Sequence, residues 1–206
     1  MSPAAPHASS QRLAPWLVAI VVGLASPAAS AHPHVWIDAS VNLVFKSKKI
    51  AAMNVTWLFD EAYSAATVAD YGKHTRGTMD ASELATLVGD STRSLAHYSY
   101  FTYLEVDGVR KRTAAVTDFH ATLVHGRLVY RFTVPVAPPV DPVRQRFAFL
   151  LYDETYFVYV GLLPKGQGLS YSGDAPALCT DTRKQDLTTP LYFGYDYPTI
   201  VALSCQ

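Results

Sequence analysis

The chain has 206 residues, half of them hydrophobic, with 17 Lys and Arg balancing 17 Asp and Glu, and only two cysteines. A neutral chain with no basic stripe is not expected to bind nucleic acid. A chain of this length builds one domain with a substantial core, not the two lobes that close around a solute.

The first segment reads as a leader. Met1 to Pro15 carry Arg12 and no acid, Trp16 to Ala25 are apolar, and Ala29-Ser30-Ala31 is a small-residue cleavage site. The apolar run is too short to span a bilayer, which takes about 20 residues, and no later run is longer. These features predict a signal peptide over residues 1–31, cut after Ala31, and a single exported domain over 32–206.

Such a cut leaves a free amine on His32, followed by Pro33 and His34. Neutral nitrogens gathered at one chain end make a start for a transition-metal site, although chain ends are also where residues fray. Pro33 has no N–H to lose, which excludes the square-planar geometry that uses the second residue's amide nitrogen. A brace of the terminal amine and the His32 ring, completed by His34 or another side chain, stays open.

From Val35 to Phe45 apolar residues occupy the odd positions, the period of a half-buried strand. Met53, Val55, Trp57 and Phe59 repeat the pattern after Lys46-Ser47-Lys48-Lys49, predicting a hairpin. Burying both apolar sets on one face requires odd to pair with odd, which a loop of about three to five residues allows. Asp60 then falls opposite Trp36 or His34, placing a carboxylate beside the terminal histidines. Asp60 and its neighbour Glu61 are candidate ligands, and both equally suit the first turn of a helix.

Glu61 to Tyr71 is alanine-rich and free of turn residues, predicting a short helix. Asp80 with Glu83 resembles a capping box, and Leu84, Leu87, Val88, Ser91 and Leu95 continue it as a second helix to about Ala96. Strands are expected over Phe101–Val106, Val116–Val124 and from Leu128, with turns at Asp107-Gly108 and His125-Gly126. Pro135, Pro138, Pro139 and Pro142 predict an irregular connection. Two further apolar runs, Arg146–Tyr152 and Tyr156–Leu162, flank Asp153, itself a typical turn residue. Residues 163–206 read as an irregular tail closed by a Cys179–Cys205 disulfide, the simplest use of an even pair in an oxidising compartment. The fold class is α+β: a mainly antiparallel sheet or sandwich with an inserted helical pair.

Four segments together carry a family resemblance: His32-Pro33-His34-Val35-Trp36-Ile37-Asp38, Thr56 to Ser64 (TWLFDEAYS), Tyr100 to Gly108 (YFTYLEVDG) and Leu151 to Val158 (LYDETYFV). In order and spacing the chain resembles the bacterial exported domain-of-unknown-function family 1007. Its members often accompany nickel/cobalt-type efflux permeases and are often labelled a periplasmic component of an uncharacterised ABC-type transport system. The resemblance implies a periplasmic metal-handling accessory protein, and it adds Asp153 to the candidate ligands.

The candidate metal set is therefore His32, His34, Asp60, Glu61 and Asp153, with Asp38, Asp118 and His120 as secondary candidates. His74, His97 and His125 lie outside the motifs and read as structural or solvated. Nitrogen and carboxylate without thiolate suit zinc, nickel, cobalt or copper(II). The expected role is noncatalytic delivery of a divalent metal to a membrane permease or ABC-type transporter, with no nucleic acid and no membrane insertion of the mature chain. Two alternatives stand beside it: a histidine-brace copper enzyme and a metal-free interaction subunit. Hydrolytic chemistry has little support, as no G-x-S-x-G elbow or H-E-x-x-H helix occurs.

Overall fold

The computed structural model describes residues 33–74 and 76–206. The expected leader and His32 lie outside the described residues. Strand β1 (Val35–Lys46) and strand β2 (Lys49–Phe59) form the expected antiparallel hairpin. Odd residues pair with odd: Ile37 with Phe59, Ala39 with Trp57, Val41 with Val55 and Leu43 with Met53. The connection is shorter than expected. Ser47 and Lys48 alone make the turn, both at positive φ, so Phe45 pairs with Ile50 and odd meets even. Ala51 then bulges out, Val44 pairs with Ala52, and the odd-to-odd phase is restored. All the odd residues from Val35 to Phe45 are buried, as are Met53, Val55, Trp57 and Phe59.

The helical pair is inserted after β2, as expected. Helix α1 (Glu61–Tyr71) is capped by Asp60, and helix α2 (Ala81–His97) begins with the Asp80–Glu83 capping box. Such a cap is worth about 0.5–2 kcal/mol. Helix α1 turns Ser64 and Thr67 inward rather than a continuous apolar stripe. Ser64 Oγ donates to the Asp60 carbonyl at 2.6 Å and accepts the Leu128 N–H at 2.9 Å, stitching the helix to the neighbouring sheet. Helix α2 buries Leu87 and packs Leu84, Val88 and Leu95 against the core.

Strands β3 (Thr102–Val106) and β4 (Val109–Arg112) turn at Asp107-Gly108; β5 (Thr117–Val124) and β6 (Arg127–Val140) turn at His125-Gly126. All four turn residues have positive φ, the two-residue hairpin geometry that favours glycine at the second position. Strand β6 corrects one expectation, because it runs through Pro135, Pro138 and Pro139. The paired β5 residues reach only to Thr133, leaving that stretch of β6 without a neighbour on the β5 side. Opposite Ala51, residues 136–139 bulge away from β2, so no proline has to donate to a ladder there.

The tail corrects another. Residues 163–206 are not irregular: they supply β9 (Leu169–Gly173), β10 (Cys179–Gln185) and β11 (Thr199–Cys205), after β7 (Phe147–Leu151) and β8 (Val158–Leu162). One sheet has the order β5-β6-β2-β1-β8, with β9 also on β1; the other has the order β10-β11-β7-β3-β4. Strands β8 and β9 lie end to end along the second edge of β1, both parallel to it, in an otherwise antiparallel sheet. The expected disulfide joins Cys179 to Cys205, directly opposite one another on β10 and β11. Among the described residues no helix is long and apolar enough to cross a membrane.

One core joins the odd faces of β1 and β2 to β6, to Phe147, Phe149 and Leu151 of β7, and to Val201 and Leu203 of β11. Trp57 sits within it, stacked on Phe101 and edge-on to Phe132 and Phe59, pairs worth about 0.5–1.5 kcal/mol each beyond their burial. On the other face of β7, Leu191 from the β10–β11 loop packs with Tyr103, Leu150 and Tyr152. The same loop is tied to β4. Arg110 reaches Asp186 at 2.8 Å and Glu105 at 2.9 Å, and donates to Thr189 Oγ1 at 2.7 Å. Burial pushes the Asp186 carboxyl up, but the hydroxyls of Thr188 and Thr189 and the Arg110 guanidinium outweigh it and hold it at about 2.

Deleting Ala51 removes the phase correction and sends Met53, Val55, Trp57 and Phe59 to the solvent face. The expected outcome is loss of the cooperative unfolding transition and of near-ultraviolet circular dichroism. Asp186→Asn is expected to cost about 1–2 kcal/mol at neutral pH. The Asp186 value lies below the usual carboxylate value of about 4, so its contribution is complete above that pH and is lost as pH falls through about 2. Urea unfolding of both proteins across this window should show the difference closing.

Candidate functional site

The strand phase brings Asp60 to β1 as expected. The Asp60 N–H donates to the Trp36 carbonyl at 2.9 Å, and Asp60 Oδ2 accepts the Trp36 N–H at 2.8 Å. Its Oδ1 accepts the Tyr63 N–H at 2.8 Å, so this carboxylate ties the strand to the helix N-terminus and keeps about half its acceptor capacity. Glu61 is exposed in the first turn of α1, where it complements the helix dipole. His34 is exposed at the start of β1; its N–H donates to the Phe157 carbonyl at 2.9 Å, and its ring lies 4.8 Å from that of Phe157.

Asp153 is only 2% exposed and closes the loop between β7 and β8. Its Oδ1 accepts the Thr155 N–H; its Oδ2 accepts the Thr155 hydroxyl at 2.7 Å and the N–H groups of Phe157 and Val158, both at 3.1 Å. Four donors on one carboxylate take up about all the lone-pair directions it has. Of the secondary candidates, Asp38 faces Arg127 at 3.7 Å, Asp118 sits at positive φ and accepts from the Thr117 hydroxyl, and His120 pairs with Arg131 across β5 and β6. His97 occupies the last turn of α2 and His125 a hairpin turn.

A different set comes together. Among the described residues, His74, Asp80 and Glu83 are the group of His, Cys, Asp or Glu side chains whose ligand atoms all lie within 4.8 Å of one another; His34, Asp60, Glu61 and Asp153 form no such group. The Nδ1 atom of His74 stands 3.0 Å from Glu83 Oε1 and 3.5 Å from Asp80 Oδ2. Ligands about 2.0–2.1 Å from a tetrahedral ion are about 3.3 Å apart, so these spacings match the edges of a coordination sphere. Backbone donors hold the acids in place. Glu83 accepts the N–H groups of His74 and Asp80, each at 2.8 Å, while Asp80 Oδ1 accepts those of Ser82 and Glu83. The backbone bonds from Asp80 and His74 hold the Glu83 carboxyl below its ordinary value. His74 is open to solvent, its side chain 74% exposed, so an ion has access.

The capping box was legible in the sequence, but the histidine was not. The connection from Gly72 to Met79 carries His74 back onto the helix N-terminus, and no periodicity reports such a return. A histidine within a short connection leading to an acidic capping box is the signal that marks it.

Two concavities accompany these residues. One, of ≈ 410 Å³, lies among β7, β8 and the β10–β11 region and includes Asp153, Arg183 and Tyr197. The other, of ≈ 580 Å³, lies between the two helices, floored by Trp57, Phe59 and Tyr130.

The chain is 28% identical over 130 residues to an uncharacterized protein of Haemophilus influenzae, covering 62% of this chain and 61% of that one. It is 31% identical over 90 residues to an uncharacterized 15.5 kDa protein in trpE 3'region of Spirochaeta aurantia, covering 44% of this chain and 64% of that one. It thus spans under two thirds of the length of the curated relatives it matches, 61% and 64%. No solved structure matches the chain. The model of the family described as protein of unknown function (DUF1007) matches residues 17–189, most of the sequence, and the chain belongs to that family.

Proposed function

We propose that this protein is an exported, noncatalytic metal-binding accessory protein that carries a divalent transition ion to a membrane transporter, with His74, Asp80 and Glu83 as ligands. The observation that carries the reading is the convergence of one imidazole nitrogen and two carboxylates at coordination spacing, on backbone-anchored side chains. One nitrogen with oxygen ligands suits zinc, nickel, cobalt or copper(II), and the absence of thiolate disfavours copper(I). Three protein ligands, Glu83 buried and His74 exposed, leave a position on the solvent side for water or for a ligand of the receiving protein, as transfer requires. The disulfide fits an oxidising compartment such as the periplasm.

The terminal histidines support a second reading. His34 is held at the start of β1 by the Phe157 carbonyl, and Asp60 is bonded to the same strand two residues on. His32 and His34 would then form a separate site, without the saturated Asp153.

Calorimetric titration of the protein beginning at His32 with zinc, nickel, cobalt and copper(II) separates the two. One ion per chain is expected, with affinity about tenfold or more lower in His74→Ala and unchanged in His34→Ala. Loss in His34→Ala, or on adding one residue before His32, with no loss in His74→Ala, assigns the terminal site; no saturable binding of any of the four ions overturns both. Zinc at about a hundred times its Kd is expected to raise the Tm by about 5–10 °C, and chelation to reverse the rise.

A further inference from the structure

The groove between α1 and α2 has a composition that the metal reading leaves unexplained. We propose that it binds a small organic cation with an aromatic body; the inference does not rest on the metal site. Its volume of ≈ 580 Å³ lies within the range of small-molecule pockets, about 300–1,000 Å³. The elements that build it are helix α1, helix α2, the end of the β1–β2–β6 sheet and the β7–β8 loop.

Charge selects the sign of the ligand. Asp70, Asp90 and Asp153 line the groove, and among the described residues no Lys, Arg or His does. Asp153 is spent on backbone donors, and Asp90 accepts from the Tyr71 hydroxyl at 3.1 Å and pairs with Arg93 on the outer side of α2. Asp70 is exposed at the groove and has no ion-pair partner among the described residues. An ammonium group would meet that carboxylate, and the tyrosine rings that line the groove, Tyr63, Tyr71 and Tyr98, would add the attraction of aromatic rings for a cation. A carboxylate or phosphate ligand would meet only like charge.

The floor selects the rest. Trp57 lies beneath the floor of the groove and is fully buried, its indole Nε1 included. Around it the surface is aromatic, with Phe59 and Tyr130 on the floor and Phe101 and Phe157 beside them, which favours a flat ring over an aliphatic chain. The Ser91 and Tyr130 hydroxyls there bond to one another at 2.8 Å.

Tyramine, its uncharged analogue tyrosol and its acidic analogue 4-hydroxyphenylacetate share one phenol and end in an ammonium, a hydroxyl and a carboxylate. Calorimetric titration of the full chain should show one tyramine per chain, bound about tenfold more tightly than tyrosol, and no binding of the acid. Asp70→Asn is expected to weaken tyramine about fivefold and leave tyrosol unchanged. Ala66→Trp, at an exposed position on α1 that lines the groove, should abolish binding of both, with thermal melts showing that each variant is folded. Equal affinity for tyramine and tyrosol, tyramine binding that survives Ala66→Trp, or no saturable tyramine binding at millimolar concentration overturns the proposal.

Discussion

One unpaired alanine holds the phase of this molecule. The Ser47-Lys48 turn closes the first hairpin in a register that sets Phe45 against Ile50, and without the bulge at Ala51 every later residue of β2 would face the wrong way. With it, Trp57 enters the core, where three aromatic partners surround it, and Asp60 arrives opposite Trp36 with its carboxylate aimed at two backbone N–H groups. The helical pair, the groove beneath it and the start of β1 all inherit their positions from that register. A strand side-chain period of two makes the choice all or nothing.

Carboxylates do most of the joining between elements. Asp60 links β1 to α1, Asp80 and Glu83 start α2, Asp153 closes the β7–β8 loop, and Asp186 ties the β10–β11 loop to β4. Each draws on backbone N–H groups or neighbouring hydroxyls and, at Asp186, a guanidinium. This division matters for function, because an acid already saturated by such donors has nothing left for an ion. Asp153 is in that position. Asp80 and Glu83 are not, since His74 adds a nitrogen to oxygens that the backbone holds in place without exhausting them.

The two proposed sites draw on different chemistry within one domain. The His74 cluster is polar and runs from the buried Glu83 to the exposed His74, an arrangement that would suit a hydrated ion. The groove is aromatic and carries acidic residues in its lining, which suits a molecule that sheds water as it enters.

Local pattern was enough for the β1–β2 phase, both helices and their caps, and the turns at Asp107-Gly108 and His125-Gly126, because each is decided by short-range period and turn chemistry; the cysteine pair, 26 residues apart, followed from there being two. The sheet's second half was not legible that way. Pro135, Pro138 and Pro139 read as breakers, and β6 admits them only where β5 has ended and β2 bulges; β9, β10 and β11 read as loop, and they are strands because β1, β7 and one another offer them edges. The same limit applies to the site. The sequence by itself determined that Asp60 would meet β1, a consequence of period and register, while only the tertiary structure decided that Asp153 would be saturated and that His74 would meet Asp80 and Glu83. Hydrogen-bond saturation and ligand convergence depend on where the chain returns in space, and a connection without periodicity carries no record of that.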